Sequence, residues 1–197
     1  MKKIIAFLFC FVYSISVNAN EVGCLKDRWS EIESNKKEKT FDTKFDLDKD
    51  KRNYSCDGYL TPSGINDFLS KLKKATSKGD VKQIAKMVRY PIKIGLDETF
   101  VDKNGHQKHK FFTVRNEDQF VSRYDEIMTE GVRDIIQCSS LSNMFVMPSQ
   151  GIFMANGEFI FSRNFNFEDQ VVINIVSITS GVESHKKWLS KHCTFEK

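Results

Sequence analysis

Four cysteines behind an apolar leader place the first constraint on this chain. Residues 1–19 have the marks of a secretory signal peptide. Lys2 and Lys3 open it, Ile4 to Val12 is an apolar run that includes Cys10, and Tyr13 to Val17 tapers into a polar end. Val17-Asn18-Ala19 offers small residues where a signal peptidase cuts. Export implies an oxidising compartment, periplasmic or extracellular. Cys24, Cys56, Cys138 and Cys193 remain once the leader is gone. An even set of cysteines there reads as two disulfides, and four cysteines allow three pairings. We favour Cys24–Cys56, which ties down a polar N-terminal segment, and Cys138–Cys193, which pins the tail to the body. Each closed loop stabilises by roughly 3–4 kcal/mol in the chain-entropy account. Oxidised thiols disfavour a catalytic cysteine. The lack of a CxxC pair disfavours zinc.

The leader's apolar run is too short to span a membrane, and no later window repeats it. A lipoprotein anchor is also disfavoured, because Glu21-Val22-Gly23 puts an acid before Cys24 where an aliphatic residue is needed. Without the leader the chain carries 28 basic and 26 acidic side chains, a balance of +2. That is far from the basic footprint of a nucleic-acid binder. The remaining 178 residues (197 less 19) suit one domain with an appendage.

Residues 20–60 read as a polar N-terminal arm. Cys24 to Lys37 has the spacing for a short helix carrying Leu25, Trp29 and Ile32. Asn35 to Asn53 is rich in lysine and aspartate, and reads as a solvated stretch. The body, residues 61–182, opens at Thr61-Pro62 with a helix cap and a first-turn proline. Ile65, Phe68, Leu69 and Leu72 then mark an amphipathic helix to about Ser77. Asp80 caps a second helix, with Val81, Ile84, Ala85 and Val88 on one side and Tyr90-Pro91 as its stop. Strands are expected over Ile92 to Leu96 and Thr99 to Asp102. Asn104-Gly105 makes a tight turn into Lys110 to Arg115. Asn116 caps a third helix bearing Phe120, Tyr124, Ile127 and Met128, and Val132 to Gln137 adds a short one. Strands follow at Met144 to Met147, Ile152 to Ala155 and Glu158 to Arg163, with a turn at Asn156-Gly157. Gln170 to Thr179 reads as the longest strand and a central one. Residues 183–197 form a basic tail with a short helix, Glu183 to His192, carrying Trp188 and Leu189. Helices against one face of an antiparallel sheet make an α+β domain.

Three stretches resemble the NTF2-like (SnoaL-like) superfamily. Phe68-Leu69 through Gly79-Asp80 to Met87-Val88-Arg89-Tyr90-Pro91-Ile92 resembles its two opening helices and first strand. Phe120 to Tyr124-Asp125-Glu126-Ile127 resembles its third helix. Gly151-Ile152-Phe153-Met154, Asn156-Gly157-Glu158-Phe159-Ile160-Phe161 and Val171 to Ile178 resemble its central hairpin and last long strand. The likeness covers roughly Thr61 to Thr179. It implies an exported bacterial member with a cone-shaped sheet wrapped round a pocket. Enzymes of the superfamily place an Asp–His or Tyr–Asp pair inside the cone. Here no histidine falls in the strands that would line it.

In the cone reading, Tyr90, Tyr124 and Met154 are the ligand-binding candidates. Asp125 with Tyr124 or Tyr90 is the alternative acid–base set, with Asp125 a base if it is buried. The opposing expectation is two structural core tyrosines and a solvent-facing Asp125. His106 and His109 flank a turn among Lys103, Lys108 and Lys110, which would repel a metal ion. Asp46-Leu47-Asp48-Lys49-Asp50 resembles the start of an EF-hand loop, but Lys51 replaces the required glycine and Asp57 the required glutamate. Both read as solvated turns. In a eukaryote, Asn53-Tyr54-Ser55 would be a glycosylation sequon. No nucleophile elbow, phosphate loop or metalloprotease helix is present. The sequence thus calls for no cofactor and no metal. It favours an exported, non-catalytic binding protein of the cell envelope, which holds a small molecule in the cone or a protein on its sheet or arm. An inhibitor or immunity protein of a cell-wall-attacking enzyme fits that description, and the sheet also offers a surface for a homodimer. The alternative is a small pocket enzyme.

Overall fold

A computed structural model describes residues 21–46, 53–165, 171–180 and 183–193. The leader and most of the EF-hand-like stretch lie outside the described residues. The arm forms three helices: α1 (Glu21–Glu31), α2 (Lys36–Asp46) and α3 (Tyr54–Asp57). Residues 36–46, expected as solvated chain, are helical for a local reason. Asn35 Oδ1 accepts from the Glu38 N–H at 3.0 Å, and Glu38 Oε2 accepts from the Asn35 N–H at 3.0 Å. This reciprocal pair starts α2.

The face that α2 turns inward carries two acids beside Phe41 and Phe45. Asp42 is fully buried and Asp46 nearly so. Asp42 Oδ2 accepts from Trp29 Nε1 at 2.9 Å, and its Oδ1 accepts from the Ser63 N–H at 2.7 Å. Asp46 Oδ1 accepts from the Ser55 N–H at 2.8 Å. Ser63 and Ser55 are each the second residue of a helix, where an N–H lacks an intrahelical partner and the helix dipole is positive. Two carboxylates one turn apart therefore satisfy the N-termini of two later helices. The Cys24–Cys56 disulfide, with Cα atoms 5.2 Å apart, joins α1 to α3. The Tyr54 hydroxyl donates to the Leu141 carbonyl at 2.6 Å, which links the arm to a segment 87 residues further along the chain.

The body follows the expected order. α4 (Pro62–Ser77) starts where Thr61 Oγ1 accepts from the Gly64 N–H at 3.2 Å, and it buries Ile65, Phe68, Leu69 and Leu72. α5 (Val81–Lys86) is capped by Asp80 and ends before the expected stop. Strand β1 (Val88–Val101) begins at once and runs through Pro91, so the two short strands expected here are one long one. Its pairing shifts between Val88 and Lys93, where proline can donate no hydrogen bond, and again between Gly95 and Thr99. β2 (Gln107–Val114) returns through the Asn104-Gly105 turn. Helices α6 (Glu117–Ser122), α7 (Tyr124–Ile127) and α8 (Glu130–Cys138) follow. Strands β3 (Phe145–Met147), β4 (Gly151–Met154), β5 (Phe159–Phe165) and β6 (Val171–Thr179) complete the sheet. The Asn156-Gly157 turn is a short 3-10 piece over Ala155–Gly157. The tail forms α9 (Glu183–His192), held to the end of α8 by the Cys138–Cys193 disulfide.

The sheet order is β2-β1-β6-β5-β4-β3, antiparallel except for the β1–β6 pair. β6 is interior as expected, although β1 is longer. The sheet is open, with edges at β2 and β3, and is not strongly curled. Ile92, Ile94, Val114, Ile152, Phe161 and Ile175 are buried with the helices, Phe68 meeting Phe161 at 5.0 Å between ring centroids. Lys93, Phe111 and Thr113 alternate with them and face solvent. The observed class is α+β with a six-stranded mixed sheet and two disulfides. Among the described residues no helix is long and apolar enough to cross a membrane.

Burial pushes the Asp46 carboxyl above its ordinary range. The Ser55 hydrogen bonds pull it back, and the Asp42 charge adds to the rise. A carboxyl raised in the folded state holds its proton more tightly there than in the unfolded chain. Its contribution to stability therefore falls as pH rises from the unfolded value of 3.8 through the folded one. Asp46→Asn keeps the acceptor for Ser55. It should be at least as stable as the wild type at pH 7 and lose that advantage below the unfolded carboxyl range, as read by thermal unfolding against pH. A variant destabilised at pH 7 but not in acid would contradict this assignment.

Candidate functional site

The resemblance-derived candidates occupy the helix-covered side of the sheet or its margin. Tyr90, on β1, is half-buried, and its hydroxyl donates to the Ala85 carbonyl at 2.9 Å. Its ring meets Phe120 edge-on at 6.5 Å, and Phe120 meets Tyr124 edge-on at 6.3 Å. The two tyrosines thus flank a buried phenylalanine. Burial pushes both phenols upward. Glu117 adds to the rise at Tyr90, while at Tyr124 the Arg133 charge opposes it and Asp125 adds to it. The Tyr124 hydroxyl is buried with no hydrogen-bond partner among the described residues. Asp125, on α7, is exposed. The burial that would make it a base is not met, and its carboxylate is not hydrogen-bonded to the Tyr124 hydroxyl. Met154 is fully buried in the core cluster.

His106 stands exposed at the β1–β2 turn, its Nδ1 3.7 Å from Asp102 Oδ1. Asp102 Oδ1 also accepts from the N–H groups of Asn104 and His106, so its work is to shape the turn. Among the described residues no group of three or more His, Cys, Asp or Glu gathers in a way that could hold a metal. Asp46, the first position of the EF-hand resemblance, is the buried cap described above. Asn53 Oδ1 accepts from the Cys56 N–H at 2.9 Å and caps α3.

Clefts open on the surface formed by the described residues, and Tyr90, Tyr124, Asp125 and Met154 line none of the three that follow. One of about 390 Å³ lies between α2 and α4, at Asn35, Lys37, Glu38, Phe41, Ser63 and Asn66. Another of about 390 Å³ lies where α4 and α5 meet the start of β6, with Asp67, Lys71, Gln83 and Lys86 at its rim. The third, about 360 Å³, is walled by Asp57, Gly58 and Tyr59 of the arm, by Ser149 of the β3–β4 turn and by Gly151, Ser162 and Arg163 of the sheet. Sequence reasoning missed it because its walls come from segments roughly ninety to a hundred residues apart. Two arginines stand beside it. Glu31 Oε2 accepts from Arg28 Nη1 at 2.8 Å and lies 3.3 Å from Arg163 Nη2.

A second surface feature lies at the opposite edge of the sheet. β6 pairs with β1 only as far as Gly95, opposite Thr179. Beyond it, Thr99, Phe100 and Val101 pair only with His109, Lys108 and Gln107 of β2. A two-stranded ribbon therefore projects past the sheet. Phe100 is 44% exposed and Val101 68%, and Phe111 at the ribbon's base is 59% exposed. The Lys93 ammonium sits 4.8 Å from the Phe111 ring centroid. No protein-family model, curated protein or solved structure matches the chain.

The tyrosine hydroxyls differ enough to be separated by mutation. Tyr90→Phe removes a satisfied bond to a carbonyl and should cost about 1 kcal/mol in denaturant unfolding. Tyr124→Phe removes a buried, unpartnered hydroxyl and should be neutral or stabilise by up to about 1 kcal/mol. A clear loss at Tyr124 would mean that its hydroxyl has a partner the described residues do not supply.

Proposed function

We propose that this chain is an exported, non-catalytic binding protein of the cell envelope that engages a protein partner through the β1–β2 ribbon. The observation that carries the reading is the ribbon itself. A two-stranded ribbon gains little stability alone, and exposed aromatic and aliphatic side chains on it are costly unless something covers them. Residues 1–19 supply the export half of the proposal, and two disulfides suit a periplasmic or secreted setting. The NTF2-like assignment is part of the same proposal. It is supported by two opening helices, a hairpin, a third helical stretch and a run of antiparallel strands in that order.

Among exported binding proteins, an inhibitor or immunity protein of a cell-wall-attacking enzyme makes the best use of such a ribbon. A narrow element enters an enzyme cleft where a broad sheet face cannot. The pocket-enzyme alternative draws no support from an exposed Asp125 and a sequestered Tyr124 hydroxyl. Immobilised mature protein should retain an envelope protein from periplasmic extract, and Phe100→Asp or Phe111→Asp should weaken that retention by at least about tenfold, equivalent to 1.4 kcal/mol. Equal retention by wild type and both variants would remove the ribbon from the account. Self-association lost in either variant, read by light scattering, would make the partner a second copy instead.

A further inference from the structure

The cleft between the arm and the sheet carries an inference independent of the ribbon. We propose that it binds a small zwitterion of the amino-acid type, its carboxylate on Arg163, its ammonium on Asp57 and its side chain against the Tyr59 ring. The charges argue for both ends of such a ligand. Arg163 lines the cleft with its side chain 16% exposed and steadied by Glu31 at 3.3 Å. A largely sequestered guanidinium is well suited to a carboxylate. Asp57 lines the same cleft from the arm, and no described residue donates to its carboxylate. Among the described residues that line the cleft, Arg163 and Asp57 supply one charge of each sign. The surroundings therefore favour a ligand with one charge of each sign over a polyanion such as phosphate.

The walls argue for a ligand as well. Tyr59 is 53% exposed, and Arg28 backs its ring at 5.8 Å from the centroid. An aromatic face left open at a cleft suits an apolar side chain. Tyr59 and Ser149 adopt φ of 55° and 61°, and Gly151 adopts 125°. Two non-glycine residues in the left-handed region at one cleft mark backbone strain of the kind that gathers at binding sites. Two glycines of the lining are fixed by close backbone packing. A Cβ at Gly151 would lie 2.6 Å from the Phe161 carbonyl oxygen, and one at Gly58 would lie 2.9 Å from that of Tyr54. A volume of about 360 Å³ accommodates one amino acid or a dipeptide.

The test uses the mature protein with L-phenylalanine and L-alanine as probes, read by calorimetry and by amide chemical shifts. N-acetyl-L-phenylalanine lacks the ammonium, and phenethylamine lacks the carboxylate. At least one free amino acid should bind saturably and shift amides of residues 57–59, 149–151 and 162–163. Both single-charge analogues should bind at least about tenfold more weakly than phenylalanine. Asp57→Asn disturbs no side-chain hydrogen bond to a described residue and should weaken binding by a similar factor, so the result does not hang on whether Arg163→Gln folds. Tyr59→Gly relieves the positive φ, so it should leave the Tm unchanged or higher while weakening binding. The proposal is overturned if neither amino acid binds, if the analogues bind as well as phenylalanine, or if Asp57→Asn binds like the wild type.

Discussion

The Asp42 carboxylate is the contact on which the rest of the structure depends. A fully buried charge is costly to keep unless hydrogen-bonded, and both its oxygens are engaged. One takes an indole N–H from α1 and the other a backbone N–H at the start of α4. That single group joins three helices, two of them in a segment with too few apolar residues to form a core of its own. Asp46 repeats the device one turn later, on α3. Repulsion between the two carboxyls and the desolvation of Asp46 are the cost of the arrangement. The Cys24–Cys56 bridge offsets that cost by restricting the unfolded chain.

The arm in turn creates the cleft. Asp57 ends α3 and Tyr59 follows it, whereas Ser149 lies in the β3–β4 turn and Gly151, Ser162 and Arg163 in the sheet. The two walls face one another only while α3 is held in place by Asp46, Cys56 and the Tyr54–Leu141 bond. The ribbon, at the far edge of the sheet, needs none of this. The molecule therefore presents two separate surfaces: a charged cleft that depends on the arm, and an apolar ribbon that depends on the length of β1.

Features whose cause is local could be read from the sequence. Thr61-Pro62, Asp80 and Asn116 cap the helices they were expected to cap, and the apolar spacing of α4 and the extent of α9 were plain. The sequence allows three cysteine pairings, and the favoured one is the one the structure forms. α2 was missed although Asn35 and Glu38 carry its starting signal. Its inward face presents Asp42 and Asp46, and a hydrophobic-periodicity argument cannot register buried acids. β1 reads as two strands because the irregularity between Gly95 and Thr99 interrupts its pattern, and as starting late because Tyr90-Pro91 reads as a helix stop; only pairing with both β2 and β6 reveals it as one strand. Tyr90 and Tyr124 stood open between ligand contacts and core aromatics, and no sequence signal marks the Tyr124 hydroxyl as the one without a described partner. The cleft was invisible because Tyr59 and Ser149 hold positive φ without being glycine, and because the Arg28–Glu31–Arg163 contact spans most of the chain.

Native-state hydrogen exchange tests most directly whether the buried acids make arm and body one cooperative unit. The Ser55 and Ser63 amides donate to Asp46 and Asp42, and the Ile175 amide donates to the Met87 carbonyl in the sheet at 2.8 Å. All three should exchange with the same free energy and the same denaturant dependence, because they open only when the whole domain unfolds. If the Ser55 and Ser63 amides exchange far faster and without denaturant dependence while Ile175 stays protected, the arm opens on its own and the account fails.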